Sequence, residues 1–228
     1  MGFWGRAAGL ALGCVTVAAA LADEAPSPFI DLSAYPGLVN AEGVVAGLQV
    51  ELKYSTPDNF MGRDVYGDFN TCYLQKDAAD MLAAAGLHLA AVRPDLRLHA
   101  YDCLRPRRVQ RQMWKVVAGT PQQRYVANPT GPTGSIHNHG CAVDLTLATA
   151  DGAALDMGTP FDFFGPEAHT TAEPSLLAQG KLTHAQLANR LLLREVMIRA
   201  GFYPLNSEWW HFNCARPEET RARYPLVE

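Results

Sequence analysis

No long run of either charge occurs in the 228 residues, where 19 Lys and Arg stand against 23 Asp and Glu for a formal net charge of −4. A chain without a basic face has nothing to set against a row of phosphates or an anionic lipid surface, so nucleic acid is excluded as a partner. The five cysteines contain no Cys-x-x-Cys spacing, which argues against a cysteine-ligated zinc site. The helical zinc-protease signature His-Glu-x-x-His is absent too. There is no internal repeat and no low-complexity block. What is there, 48% hydrophobic, 9% aromatic and 18% charged, is the composition of one globular domain with a sizeable core.

One apolar stretch stands apart. In the first 22 residues Arg6 is the only charge and Ala7 to Ala20 is apolar. Ala20-Leu21-Ala22 then has the small-x-small form of a signal-peptidase site, with Asp23 and Glu24 next. The stretch is short for a membrane span, so the expectation is an export signal cleaved after Ala22. Residues 23–228 would then be a periplasmic or secreted domain with no stable membrane insertion. Cys72, Cys103, Cys141 and Cys214 remain in that exported chain, and at least one disulfide is expected among three possible pairings.

Periodicity sets out the elements. Leu48, Val50 and Leu52 alternate with Gln49, Glu51 and Lys53, which predicts a strand from Leu48 to Tyr54. Leu74 to Val92 reads as a helix with Leu74, Ala78, Met81, Leu82 and Ala85 inward, and Gly86 as its break or end. Alternation predicts a strand from Leu96 to Tyr101, followed by a helix from Arg107 to Ala118 with Val109, Met113, Val116 and Val117 inward. Tyr125 to Gly134, with two Pro and two Gly, is a loop. Cys141 to Leu147 alternates again and puts Asp144 on the face turned to water or to a polar site. Thr183 to Gln186 is a capping box for a helix with Ala188, Leu192, Leu193, Val196, Met197 and Ala200 buried and Gly201 at its end. A short strand covers Trp209 to Asn213. The expected class is α+β: one domain, a largely antiparallel central sheet, and flanking helices.

Two segments are dense in chemistry. Ser135 to Asp144 contains His137 before a strand and Asp144 within it, and Glu208-Trp209-Trp210-His211 brings a second imidazole beside a second carboxylate. Two imidazoles and a carboxylate suffice for a catalytic zinc that keeps one position for water, and a spare Glu208 is placed to accept that water's proton. Any two His and two acids can be picked from seven His and 23 acids, so composition alone leaves solvated or hydrogen-bonded side chains as the competing reading.

Ser135 to Asp144 fits the pattern Ser-x-His-x-x-Gly-x-Ala-x-Asp at every fixed position, and Glu208 to His211 fits Glu-x-Trp-His. In these motifs the chain resembles the zinc peptidases that include D-Ala-D-Ala carboxypeptidases and the hedgehog signalling domain. Three further blocks, Tyr54 to Gly62, Tyr101 to Pro106 and Asp156 to Phe164, resemble the VanX-type D-alanyl-D-alanine dipeptidases within that group. The resemblance implies one catalytic Zn2+ at the sheet, held by His137, Asp144 and His211. It implies Glu208 as general base, Arg105 as stabiliser of the oxyanion, Ser135 as a substrate contact and Asp162 as partner of the substrate ammonium. A small D,D-dipeptide is the implied substrate. The same centre in an open groove would serve a D,D-carboxypeptidase acting on peptidoglycan stem peptides, and a catalytically silent zinc-binding domain is the third reading. His139 and Cys141 depart from the residues usual at their positions in the group.

Overall fold

The structure is a computed structural model and describes residues 30–131 and 134–228; the expected export signal, residues 1–22, lies outside the described residues. In chain order the regular elements are β1 (Leu38–Asn40), β2 (Gln49–Val50), β3 (Tyr73–Gln75), α1 (Lys76–Val92), β4 (Leu96–Asp102), α2 (Arg107–Val117), β5 (Ala142–Thr149), α3 (Glu173–Ala178), α4 (His184–Arg199), β6 (Tyr203–Leu205), β7 (Glu208–Asn213) and α5 (Pro217–Arg223). Among the described residues no helix is long and apolar enough to cross a membrane.

The central sheet has the order β2-β4-β5-β7-β6. It is mixed, which corrects the expected largely antiparallel sheet. β4, β5, β7 and β6 pair antiparallel, but β2 runs parallel to β4. A parallel neighbour requires a crossover, and here the chain leaves β2, builds β3 into a separate pair with β1, and returns through α1. The strand expected from Leu48 to Tyr54 shrinks to Gln49–Val50 because the chain turns into a short 3-10 helix, Lys53–Ser55. Its alternation is nonetheless real. Lys53 reaches out to Glu51 and Asp58 at 2.7 Å each, while Leu52 and Tyr54 are buried.

α1 begins two residues later than Leu74, because Leu74 is needed in β3 opposite Val39. It runs through Gly86 and buries Ala78, Ala79, Leu82, Ala85 and Leu89. The capping box of Thr183 and Gln186 opens α4 as expected, and Gly201 follows its end with φ +100°. The buried face of α4 includes Arg190 as well as Leu193, Val196 and Met197, whereas Ala188 is exposed. Arg190 donates to the carbonyl oxygens of Met157 (2.6 Å) and Glu167 (3.0 Å), so α4 grips both ends of the 157–167 loop. Two disulfides form, Cys72–Cys103 and Cys141–Cys214.

Candidate metal centre and active site

Direct cross-strand pairing builds the centre. Asp102 on β4 lies opposite Asp144 on β5, and Asp144 lies opposite His211 on β7. Directly opposed residues share a sheet face, so one polar row crosses three strands. His137 joins that row from the 3-10 turn Ile136–His139, which leads into β5. Ser135 caps this turn, its hydroxyl accepting from His137 N–H, and Gly140 ends it at φ +67°. A Cβ on residue 140 would also stand 2.6 Å from Leu38, so glycine is required there twice over. The turn is held from outside: Asn138 donates to Arg105 O (2.7 Å), Arg105 N–H donates to His137 O (3.1 Å), and Val227 N–H donates to Asn138 O (2.8 Å).

Three ligating atoms converge. Asp144 Oδ1 lies 2.9 Å from His211 Nδ1 and 3.3 Å from His137 Nε2, and the two ring nitrogens are 3.1 Å apart. The outer partners fix the tautomers. His137 Nδ1 is 2.7 Å from Cys103 O, an oxygen that only accepts, so the proton sits on Nδ1 and Nε2 presents a lone pair. His211 Nε2 lies 2.8 Å from Asn213 Oδ1 and donates to it, leaving a lone pair on Nδ1. In their neutral forms two lone pairs and a carboxylate oxygen face one another at hydrogen-bond distance with no proton between them. That arrangement repels itself until a cation is shared, and the donor set of two imidazoles and one carboxylate fits zinc. Burial raises the Asp144 carboxyl, but where the two imidazoles carry protons their charges and N–H groups outweigh it and hold the carboxyl well below its ordinary value, so a cation of some kind, proton or metal, is what the cluster calls for.

Arg105, His137, Asp144, Glu208 and His211 line a single cavity of about 410 Å³, together with Ser135 and Asp162. All seven residues singled out from the sequence therefore meet around one space. Glu208 and His211, an odd number of residues apart, would point to opposite faces of a regular strand. The irregular β6–β7 register between Pro204 and Leu205 lets both reach the cavity. Burial, opposed by His211, pushes the Glu208 carboxyl up to about 8. Arg105 is anchored by Asp102 at 2.6 Å and Gln110 at 3.0 Å, and its Nη2 lies 3.3 Å from Asp144 Oδ2. Burial works against its charge, and Asp102, Tyr54, Tyr66 and Asp144 together more than offset this. Tyr66 closes the network by donating to Asp102 Oδ1 at 2.5 Å.

Asp162 sits at φ +60°, the one non-glycine in the left-handed region among the described residues. Tyr54 donates to its Oδ1 at 2.9 Å and Phe60 N–H to its Oδ2 at 3.3 Å. Burial, opposed by Arg105, raises this carboxyl to about 7. His139 is turned away from the reaction space: it is buried and pairs through Nδ1 with Tyr224 O. Cys141 is tied up with Cys214, which brackets the pair β5–β7.

Several members of the site went unassigned in the sequence. Asn213 had a signal, since a residue two beyond His211 in a strand shares its face. Asp102 and Tyr54 lay inside quoted blocks without a role, and Gln110 on α2 gave no signal at all.

Comparison with known proteins bears on the family. The family model described as D-ala-D-ala dipeptidase matches residues 35–225. The chain is 36% identical over 190 residues to a D-alanyl-D-alanine dipeptidase of Escherichia coli (strain K12), covering 83% of this chain and 89% of the relative. It is 29% identical over 189 residues to the D-alanyl-D-alanine dipeptidase of Enterococcus faecalis, covering 77% and 90%. With one of Streptomyces coelicolor it shares 30% over 192 residues, covering 74% and 87%. On the match of nearly the whole described chain, this protein belongs to the D-Ala-D-Ala dipeptidase family of peptidases.

Proposed function

We propose that the chain is an exported zinc dipeptidase that hydrolyses D-Ala-D-Ala to two D-Ala. The observation that carries the reading is the facing of His137 Nε2, His211 Nδ1 and Asp144 Oδ1 in a cavity that also holds two raised carboxyls, Glu208 and Asp162. Zinc held by those three residues supplies a Lewis acid that makes water acidic and polarises a carbonyl.

The rest belongs to the side chains. Glu208, near 8 before any cation arrives, takes a proton from the attacking water and returns it to the leaving amine. Burial makes Glu208 a stronger base than an ordinary carboxylate once it is ionised, and a cation held by the neighbouring side chains would favour that ionised form. Arg105 cannot lose its charge, and Asp102 and Gln110 fix its plane, so it offers a preorganised donor to the carbonyl oxygen as negative charge develops there. Asp162, steadied by Tyr54 and Phe60, receives the substrate ammonium. Ser135 uses its oxygen as an acceptor for the turn, and its hydroxyl proton stays available for the substrate carboxylate.

D-Ala release from D-Ala-D-Ala by purified protein tests this, before and after a chelator and with zinc restored. Release that stops with chelator and returns with zinc is the expected result. Preference for an N-acylated stem peptide would transfer the assignment to a carboxypeptidase, and metal-loaded protein that hydrolyses neither substrate would leave a silent binding domain.

A further inference from the structure

Beside Asp162 the cavity wall is aromatic. Phe60, whose N–H holds Asp162, packs on Phe164 at 4.9 Å between ring centroids. Phe164 in turn stacks on Tyr125, 5.2 Å away and only 4° from parallel. All three rings line the same cavity as the metal ligands. Tyr125 comes from a different part of the chain and is pinned at its far end, where its hydroxyl meets His169 Nε2 at 2.9 Å. His169 is itself fixed, because its N–H donates to Pro166 O and the next residue, Thr170, donates to Asn206 O across the β6–β7 turn. Arg124 lies 5.0 Å from the Tyr125 ring. Neither Tyr125 nor His169 has a part in the hydrolytic chemistry described above.

We infer that Tyr125 is a specificity-determining residue that closes the amino end of the site against N-extended peptides, with His169 as the positioning residue that holds it there. The inference rests on the dipeptidase reading, in which Asp162 takes the substrate ammonium. Whatever packs around Asp162 then decides whether anything is allowed on that nitrogen. An acyl group would have to enter where Phe60, Phe164 and Tyr125 lie against each other. A stack pinned by a hydrogen bond at one end and by a backbone–carboxylate contact at the other resists being pushed aside. Asp162 alone is a weaker filter, since a carboxyl raised to about 7 is partly protonated near neutrality and tolerates an uncharged amide.

The test compares kcat/KM for D-Ala-D-Ala and for N-acetyl-D-Ala-D-Ala in the same zinc-loaded preparations of wild type, Tyr125→Ala, Phe164→Leu, His169→Ala and His169→Gln. The ratio of acetylated to free substrate should rise about tenfold or more in the first two variants, the scale expected when a filled apolar wall is opened. His169→Ala should raise the ratio as well. His169→Gln places an amide nitrogen near Nε2, so it should restore most of the exclusion, which a general loosening of the fold would not do. Tyr125→Phe keeps the stack without the hydroxyl, and it should behave like His169→Ala if the larger truncation fails to fold. An unchanged ratio in variants that still cleave D-Ala-D-Ala overturns the wall and leaves the dipeptidase reading standing. A wild type that prefers the acetylated substrate overturns both.

Discussion

The Cys141–Cys214 bridge offers a prediction whose size follows from the chain itself. Its two cysteines are 73 residues apart, against 31 for Cys72–Cys103. Restricting an unfolded loop of the longer size is worth about 4.4 kcal/mol at 25 °C, and of the shorter about 3.7 kcal/mol. Replacing both Cys141 and Cys214 by Ala should therefore lower unfolding stability by up to about 4 kcal/mol, a small part of it from the buried Thr220 hydroxyl, which loses its contact with Cys141 Sγ. In a domain of this size that is a fall of roughly 10–15 °C in Tm. Urea denaturation of metal-free protein reads the loss directly. Zinc should then add the same increment of stability with and without the bridge. Asp144 is set opposite His211 by the β5–β7 ladder, and Cys141 and Cys214 only flank that ladder. A loss below about 1 kcal/mol would refute the loop argument. A zinc increment that collapses in the variant would show that the bridge, and not the ladder, sets the ligand geometry.

Other outcomes follow from the same contacts. Asn213→Ala removes the acceptor that keeps His211 in its ligating tautomer and should weaken zinc about 10- to 100-fold in a chelator competition, with Asn213→Asp retaining affinity. If Asp162 binds the substrate ammonium, kcat/KM should fall about tenfold per pH unit below about 7, and Asp162→Asn should flatten that limb while raising KM. The stability effect of this group has the opposite sign. A carboxyl raised from 3.8 to about 7 stabilises the fold less as pH climbs through that window, so metal-free Asp162→Asn should gain on wild type between pH 4 and 7 in thermal melts. Arg105→Lys keeps the charge but cannot span Asp102, Gln110 and Asp144 together; kcat should drop by about 100-fold or more with zinc content retained.

The sequence disclosed the site better than the sheet. His137, Asp144 and His211 were legible because each stands in a short segment whose neighbours carry the motif, and Thr183, Gln186 and Gly201 announced α4 by local capping chemistry alone. The parallel pairing of β2 was not legible, since direction depends on a crossover through α1 and leaves no mark in the two residues that pair. The helical stripe of α4 was placed one position off at Ala188, which is exposed, and Arg190 was not foreseen in it, for a related reason. Its long side chain is buried because the carbonyls of Met157 and Glu167 wait for it, and that demand comes from a loop elsewhere in the chain. Gln110 is the limiting case: a buried amide on a helix otherwise patterned like any other, whose purpose exists only once Arg105 lies beside it.

The wide spacing of the proposed ligands also bears on the order of events during folding. His137 and Asp144 are close in sequence, but His211 lies 67 residues beyond Asp144 and reaches it only when β5 and β7 have paired. A chain still searching for that pairing presents two ligands at most, so metal has little to hold before the sheet is complete. Zinc should leave the refolding rate nearly unchanged and act on the reverse step, slowing unfolding by the full factor of its binding. The ion would thus serve as a clock stopped late: it records that the fold has finished, and it lengthens the time the finished fold survives.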